Sequence, residues 1–182
     1  MKNIFVSSFI AAILASISSI SYAAPATTTG TVQFKGRIID SACTIDGDSD
    51  KIVHMGTYIK SDIKEKGREV DGSKKDFKIK LTGCPVDSTT HIMMKVTISG
   101  TSDVHNSKLL AIESSSGAKG IGIGVYSESN LIDFTSGSHQ LKDIEIDKAD
   151  TEIPLQVAYV SNGEASKAGQ ANATLNFNIA YK

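Results

Sequence analysis

The chain has 182 residues, 40% of them hydrophobic, and a formal net charge of −1. This length fits one domain with a sizeable core. The balance of 19 basic and 20 acidic residues excludes the strong charge bias that is typical of proteins that bind nucleic acid or a membrane surface.

The N-terminal segment predicts an export signal. Lys2 gives a positive start, an apolar run with interspersed serines covers Ile4–Ile20, and Ser21–Ala23 fits the site that a signal peptidase reads. We predict cleavage after Ala23, because cleavage after Ala24 would place Pro25 directly behind the broken bond. The alternative is a membrane anchor, but the run is shorter than the ~20 residues that a spanning helix needs.

The next segment, residues 24–30, is small, polar and rich in threonine. Its alternation continues into a first predicted strand over residues 31–38, so that one face carries Thr28, Gly30, Val32 and Phe34. Nothing in the pattern commits this segment to a core of its own, and a frayed terminus is the alternative.

Two cysteines, Cys43 and Cys84, lie in the part of the chain that is predicted to be exported. An even count in an oxidising compartment predicts one disulfide. The alternatives are two free thiols or half of a metal site, although neither a C-x-x-C motif nor a nearby histidine supports a metal.

The rest of the chain predicts an all-β fold of short strands separated by turn dipeptides such as Asp71-Gly72 and Asn162-Gly163. Pro154 cannot donate to a ladder, so we expect it near the start of its strand or where that strand faces an edge. A short helical turn fits residues 62–68. Alternation predicts strands at residues 77–82, 92–98, 121–126 and 153–160, and more weakly at 51–56, 108–112 and 141–146.

The chain ends in a further predicted strand over residues 171–182. Apolar Leu175, Phe177, Ile179 and Tyr181 alternate there with polar or small residues. A terminal strand exposes main-chain groups that must be paired or blunted. Either aggregation or a partner that docks by adding a strand can follow.

No catalytic or cofactor motif stands out. Asp46, Asp48 and Asp50 imitate the start of a calcium loop, but Lys51 and Thr57 occupy the positions that require glycine and glutamate, so a solvated turn is favoured. The four histidines share no ligand spacing, and no G-x-S-x-G elbow is present. We therefore expect no enzyme activity, no cofactor and no metal.

Three segments together resemble the subunits (pilins) of chaperone–usher fimbriae, close to the type 1 major-subunit kind. They are GTVQFKGRIIDSACTI at Gly30–Ile45, LTGCP at Leu81–Pro85, and Gly169 followed by Ala171–Lys182. In the C-terminal motif of that family a glycine lies fourteenth from the end and a tyrosine second from the end. Gly169 and Tyr181 match those two positions.

The resemblance implies an incomplete immunoglobulin-like β-sandwich that lacks its final strand and is completed by a donor strand from a neighbouring subunit. It implies a signal peptide at 1–23, an N-terminal donor extension at 24–35 and a pilin domain at 36–182. The donor side chains would be Thr28, Gly30, Val32 and Phe34. The groove wall that also contacts the chaperone would include Leu175, Phe177, Ile179 and Tyr181, and the carboxylate of Lys182 would meet basic chaperone residues.

The function that the resemblance implies is that of a structural subunit of a surface fimbria, exported through the periplasm, which supports adhesion. It would polymerise by donor-strand exchange with other pilins after handling by a periplasmic chaperone and an outer-membrane usher. A minor or adaptor subunit and a glycan-binding fimbrial adhesin are the alternatives. Against the adhesin, the mature chain leaves no room for a separate lectin domain and has no Trp for sugar stacking.

Overall fold

The structure, a computed structural model, describes residues 29–36, 38–39, 41–46, 52–87, 89 and 91–182. The predicted signal peptide and Thr28 lie outside these residues. The chain divides into two units, residues 1–36 and 37–182. In the first unit, residues 29–36 form neither a strand nor a helix. No helix in the described part of the chain is long and apolar enough to cross a bilayer.

The larger unit contains a five-stranded antiparallel sheet that consists of β1 (Thr44–Ile45), β2 (Lys75–Thr82), β4 (Ile121–Ser127), β5 (Asn130–Leu131) and β8 (Thr151–Ser161). The strand order in the sheet is β1-β2-β8-β4-β5. The long central strand β8 pairs with β2 on one side and with β4 on the other.

A second antiparallel sheet is built around β3 (Ile92–Ser99). The C-terminal strand β9 (Asn176–Tyr181) covers one edge of β3. On the opposite edge, β6 (Ser138–Gln140) pairs with the end of β3 and β7 (Ile144–Ile146) with its start. The predicted all-β immunoglobulin-like fold is confirmed.

Alternating side chains of the two sheets meet in one core. Met94, Val96 and Ile98 of β3 are fully buried, and Leu81 and Leu155 of the other sheet are nearly so. This is the arrangement that alternation predicts, since every second residue of a strand points to the same face.

Strand β4 is buried on both faces. A Cβ added to Gly122 would lie 2.9 Å from Leu109 Cβ, so the loop that carries Leu109 and Leu110 packs directly on the strand. Leu110 also exchanges backbone hydrogen bonds with Ile123. Glycine in this strand therefore marks the close approach of another segment.

Several predicted boundaries were wrong. Residues 31–36 and 38 are not a strand, because a strand requires a hydrogen-bonded partner and these residues have none in the structure. The described residues of 51–56 form no strand either, and the strand predicted at 108–112 is limited to isolated bridges at Leu110.

Two other elements have shifted bounds. The helical turn is a 3₁₀ turn at Lys60–Asp62 rather than at 62–68. The last strand starts at Asn176, not at Ala171.

Pro154 lies within β8 opposite Lys78 of β2. The pairing of β8 with β4 covers only Gln156 to Ser161, so residue 154 has no neighbour on that side. The expectation that this strand faces an edge at its proline is confirmed.

Candidate strand-binding groove

An open groove of about 1060 Å³ runs along the larger unit. Its floor consists of apolar side chains from the five-stranded sheet and the segment before it. These are Val70, Ile79, Ile123, Val125, Val157 and Tyr159, all buried beneath the groove. Two chain segments flank the floor, which we call the first wall (residues 52–60) and the second wall (residues 167–177).

The first wall presents apolar side chains and free main-chain groups. Ile52 is 72% exposed and Ile59 is 66% exposed. Within the described residues, no backbone hydrogen bond joins residues 53–58 to another segment. Such a row of open N–H and C=O groups beside an apolar floor is what an added strand can pair with.

The second wall is paired on one side only. The carbonyls of Gln170 and Asn172 accept hydrogen bonds from Ala118 and Glu113, on the outer side of the wall. Successive residues of an extended segment point their main-chain groups to opposite sides. Ala171 and Ala173 therefore face the groove. The carbonyl of Ala171 accepts a hydrogen bond from the Tyr159 side chain, and Ala173 makes no backbone hydrogen bond within the described chain. The main-chain groups of Ala173 are therefore open toward the groove.

Gly169 fixes the second wall against the neighbouring loop. A Cβ at this position would lie 2.5 Å from Ala118 N and 2.6 Å from the carbonyl carbon of Gly117. Those atoms belong to the backbone and cannot turn away as a flexible side chain could. Only glycine lets the wall approach this closely.

Tyr159 connects the floor to the same wall. Its hydroxyl donates to the carbonyl oxygen of Ala171 at 3.0 Å, and its ring packs edge-on against Tyr58, with 5.9 Å between ring centroids. Burial raises the pKa of Tyr159, with a smaller contribution from Tyr58. The hydroxyl therefore stays protonated and keeps donating at neutral pH.

The predicted wall residues separate into two groups. Leu175 and Phe177 line the groove, whereas Ile179 and Tyr181 are half-buried against the core and are not among the lining residues. The Tyr181 hydroxyl accepts a hydrogen bond from the backbone N–H of Cys43 at 2.7 Å. Cys43 and Cys84 form the predicted disulfide, which is confirmed.

The predicted donor residues lie in the smaller unit and are open to solvent. Val32 is 75% exposed and Phe34 is 94% exposed. A Cβ on Gly30 would meet no atom within 4 Å. Thr28 falls outside the described residues.

Sequence reasoning missed the first wall. Residues 51–56 were predicted as a weak strand, and nothing marked them as one side of a groove. Val53, Met55 and Tyr58 are apolar or aromatic, but such a pattern does not reveal whether the segment has a partner strand. In the described residues no cluster of His, Cys, Asp or Glu could hold a metal ion.

Comparison with known proteins agrees with this architecture. The family model described as fimbrial protein matches residues 32–182. The probable major fimbrial subunit LpfA of Escherichia coli O157:H7 is 34% identical over 84% of both chains. The type-1 fimbrial protein A chain of Escherichia coli is 30% identical over 93% of this chain and 95% of its own. The P pilus rod subunit PapA shares the fold, with a TM-score of 0.65 at 19% identity, over 78% of this chain and all of that one.

The two-sheet immunoglobulin-like fold is the fold of chaperone–usher pilus subunits. The chain belongs to the fimbrial protein family. It is a structural subunit of a surface fimbria and is exported through the periplasm. The alternative of a minor subunit or glycan-binding adhesin is not favoured by these relatives.

Proposed function

We propose that the groove accepts a strand from another pilin and that this chain polymerises by donor-strand exchange. The observation that carries the proposal is the pair of open main-chain edges on either side of an apolar floor. A strand laid between them would hydrogen-bond to both walls and would bury alternate side chains in the floor. The role of the subunit in the fibre is mechanical rather than catalytic.

The donor would be the N-terminal extension, residues 24–35, of a neighbouring copy, with the signal peptide removed after Ala23. Val32 and Phe34 are exposed in the free chain, and burying each would contribute roughly 1.5–3 kcal/mol. Each new main-chain hydrogen bond would add about 0.5–1.5 kcal/mol. Thr28 and Gly30 would complete the inward-facing set. Because donor and acceptor surfaces differ, repetition yields an open fibre.

Before assembly, the same open groove would be a liability in the periplasm, where exposed strand edges promote aggregation. We propose that a periplasmic chaperone covers it and that an outer-membrane usher exchanges the chaperone for the next extension. Leu175 and Phe177 would contact the chaperone strand in the groove. Ile179, Tyr181 and the C-terminal carboxylate of Lys182 would extend that contact along β9.

Matched substitutions in the extension test the donor role. Phe34→Asp places a charge on the inward-facing side, whereas Gln33→Asp places the same charge on the opposite side of the same segment. We expect Phe34→Asp to abolish fibre formation and Gln33→Asp to preserve it, as judged by electron microscopy of cells that make each variant.

Deletion of residues 24–30 separates assembly from chaperone handling. We expect this deletion to abolish fibres while leaving a soluble complex with the chaperone, detected by co-purification from the periplasm. Normal fibres from the deletion or from Phe34→Asp would refute the donor assignment.

A further inference from the structure

Asn162 and Gly163 form the only asparagine–glycine pair in the sequence. Such a pair can react with itself, because the backbone nitrogen of the glycine can attack Cγ of the asparagine side chain. A cyclic succinimide forms, and the side-chain amide leaves as ammonia with the proton of that nitrogen. Water then opens the ring to aspartate or isoaspartate. Glycine permits the attack readily, since it has no Cβ to restrict the approach of its own nitrogen.

The fold holds the side chain of Asn162 in place. Asn162 is only 2% exposed. Its side-chain amide donates to Asp103 Oδ2 at 2.9 Å and to the carbonyl oxygen of Ile121 at 3.4 Å. Its Oδ1 accepts the backbone N–H of Glu164 at 2.9 Å. Ammonia cannot leave until the hydrogen bonds of the amide nitrogen break, so the native fold opposes the reaction.

The carboxylate of Asp103 adds an electrostatic barrier. Asp103 is buried, and its Oδ1 accepts the backbone N–H groups of His105 and Asn106 at 2.8 and 2.9 Å. The attack places negative charge first on the glycine nitrogen and then on Oδ1 of Asn162. A fixed carboxylate beside this side chain disfavours that charge, because like charges repel strongly where water is largely excluded.

The same contacts join separate parts of the sandwich. Asp103 lies in the loop before β4, Ile121 is the first residue of β4, and Asn162 directly follows β8. The backbone N–H of Asn162 also donates to the carbonyl oxygen of Gly120 at 3.1 Å. Asn162 becomes free to react only when this junction opens, so the rate of deamidation follows the open fraction of the chain.

Deamidation would in turn weaken the junction. The product carries a carboxylate where Asn162 had an amide that donated to Asp103. One buried hydrogen bond is therefore lost, and two carboxylates face each other in a site that holds only one in the native chain. The altered chain cannot close the junction as the native chain does.

We infer that Asn162 is a site of spontaneous deamidation that the native fold suppresses, and that the modification destabilises the fold once it has occurred. The reaction is confined to chains that unfold or open at this junction. A subunit that stays folded on its route through the periplasm keeps Asn162, whereas one that unfolds acquires a permanent change that hinders refolding. The inference does not depend on donor-strand exchange.

Mass spectrometry of the mature, full-length subunit tests the suppression. The subunit is kept at mildly alkaline pH with and without guanidinium chloride, and its peptides are analysed for deamidation. We expect Asn162 to react at least about tenfold faster in the denatured chain, since the folded chain reacts only through its open fraction. Gly163→Ala should slow the reaction in the denatured chain. Equal rates in the folded and denatured native chain, or no reaction at Asn162 in the denatured chain, would overturn the inference.

Exchange of the two side chains tests the effect on stability. Asn162→Asp imitates the product and should unfold at a lower urea concentration than the native sequence. In Asp103→Asn/Asn162→Asp the new amide can donate to the new carboxylate, so most of the lost stability should return. Asn178→Asp, at an exposed asparagine of β9, is the matched control and should change the midpoint little. Native stability of Asn162→Asp, or a double variant no more stable than Asn162→Asp, would overturn the inferred effect.

Discussion

At the scale of single residues, Gly169 leaves no room for a side chain. An alanine Cβ would meet backbone atoms of Gly117 and Ala118 at 2.5–2.6 Å, so the second wall must shift outward. We expect Gly169→Ala to lower the free energy of unfolding by about 1–3 kcal/mol, the usual cost of overpacking. Urea unfolding of the mature subunit measures it.

The matched control is Gly36→Ala, since nothing lies within 4 Å of the added Cβ there and the backbone conformation suits any residue. It should change the unfolding free energy by no more than about 0.5 kcal/mol. Equal stability of the two variants would contradict the role of Gly169 in fixing the wall.

Tyr181 has a specific hydrogen-bonding role in addition to its packing. Tyr181→Phe keeps the ring but removes the acceptor for the N–H of Cys43. We expect a loss of about 1 kcal/mol in unfolding free energy, typical of one partly buried hydrogen bond. Tyr58→Phe removes a solvent-exposed hydrogen bond to Gly72 and should cost less. The reverse order in urea unfolding would show that the Tyr181 hydroxyl contributes little.

At the scale of elements, the first wall allows the groove to be changed without disturbing the core. Ile59 lines the groove yet is 66% exposed, so Ile59→Asp should leave the free subunit as stable as before. It should weaken binding of the peptide of residues 24–35 by at least tenfold, because the carboxylate would be desolvated when a strand is added.

Val104→Asp is the matched control, since Val104 is 91% exposed and lies outside the groove. Peptide titration followed by fluorescence anisotropy compares the two variants. Unchanged binding to Ile59→Asp would exclude the first wall from the donor site.

Strand prediction succeeded where alternation reflects a partner within the same chain. The predicted strands at 77–82, 92–98, 121–126 and 153–160 each fall within β2, β3, β4 or β8, since the core selects one face of each. The same pattern at residues 31–36 gives no strand, because alternation reveals a face but not whether a partner is present. The two-residue strands β1 and β5 are too short to show an alternation of apolar and polar residues.

The groove, too, could be predicted from the sequence only in part. The resemblance to pilins, and not the pattern alone, implied that residues 175–181 form a groove wall. Leu175 and Phe177 line the groove, whereas Ile179 and Tyr181 pack against the core beyond it. The first wall could not be found, because its role follows from the absence of pairing in three dimensions rather than from any local motif.

At the scale of the whole molecule, the disulfide between Cys43 and Cys84 closes a loop with a sequence separation of 41. A loop of this length constrains the unfolded chain by about 4 kcal/mol. We expect a reducing agent to lower the free energy of unfolding by about 4 kcal/mol. Urea unfolding with and without the reductant measures this loss. The Cys43→Ala/Cys84→Ala variant should be insensitive to reductant, and a loss below about 1 kcal/mol in the native sequence would contradict the estimate.

The position of this cross-link also matters when a fibre is stretched. If each subunit is held by its extension, tension enters the larger unit a few residues before Cys43. The covalent bond passes that load directly to the end of β2, so the 41-residue interval to Cys84 cannot be drawn out while the bond is intact. At about 3.4 Å per extended residue, the disulfide prevents roughly 140 Å of chain extension in each subunit. A pulled fibre therefore cannot lengthen by drawing out the chain between Cys43 and Cys84.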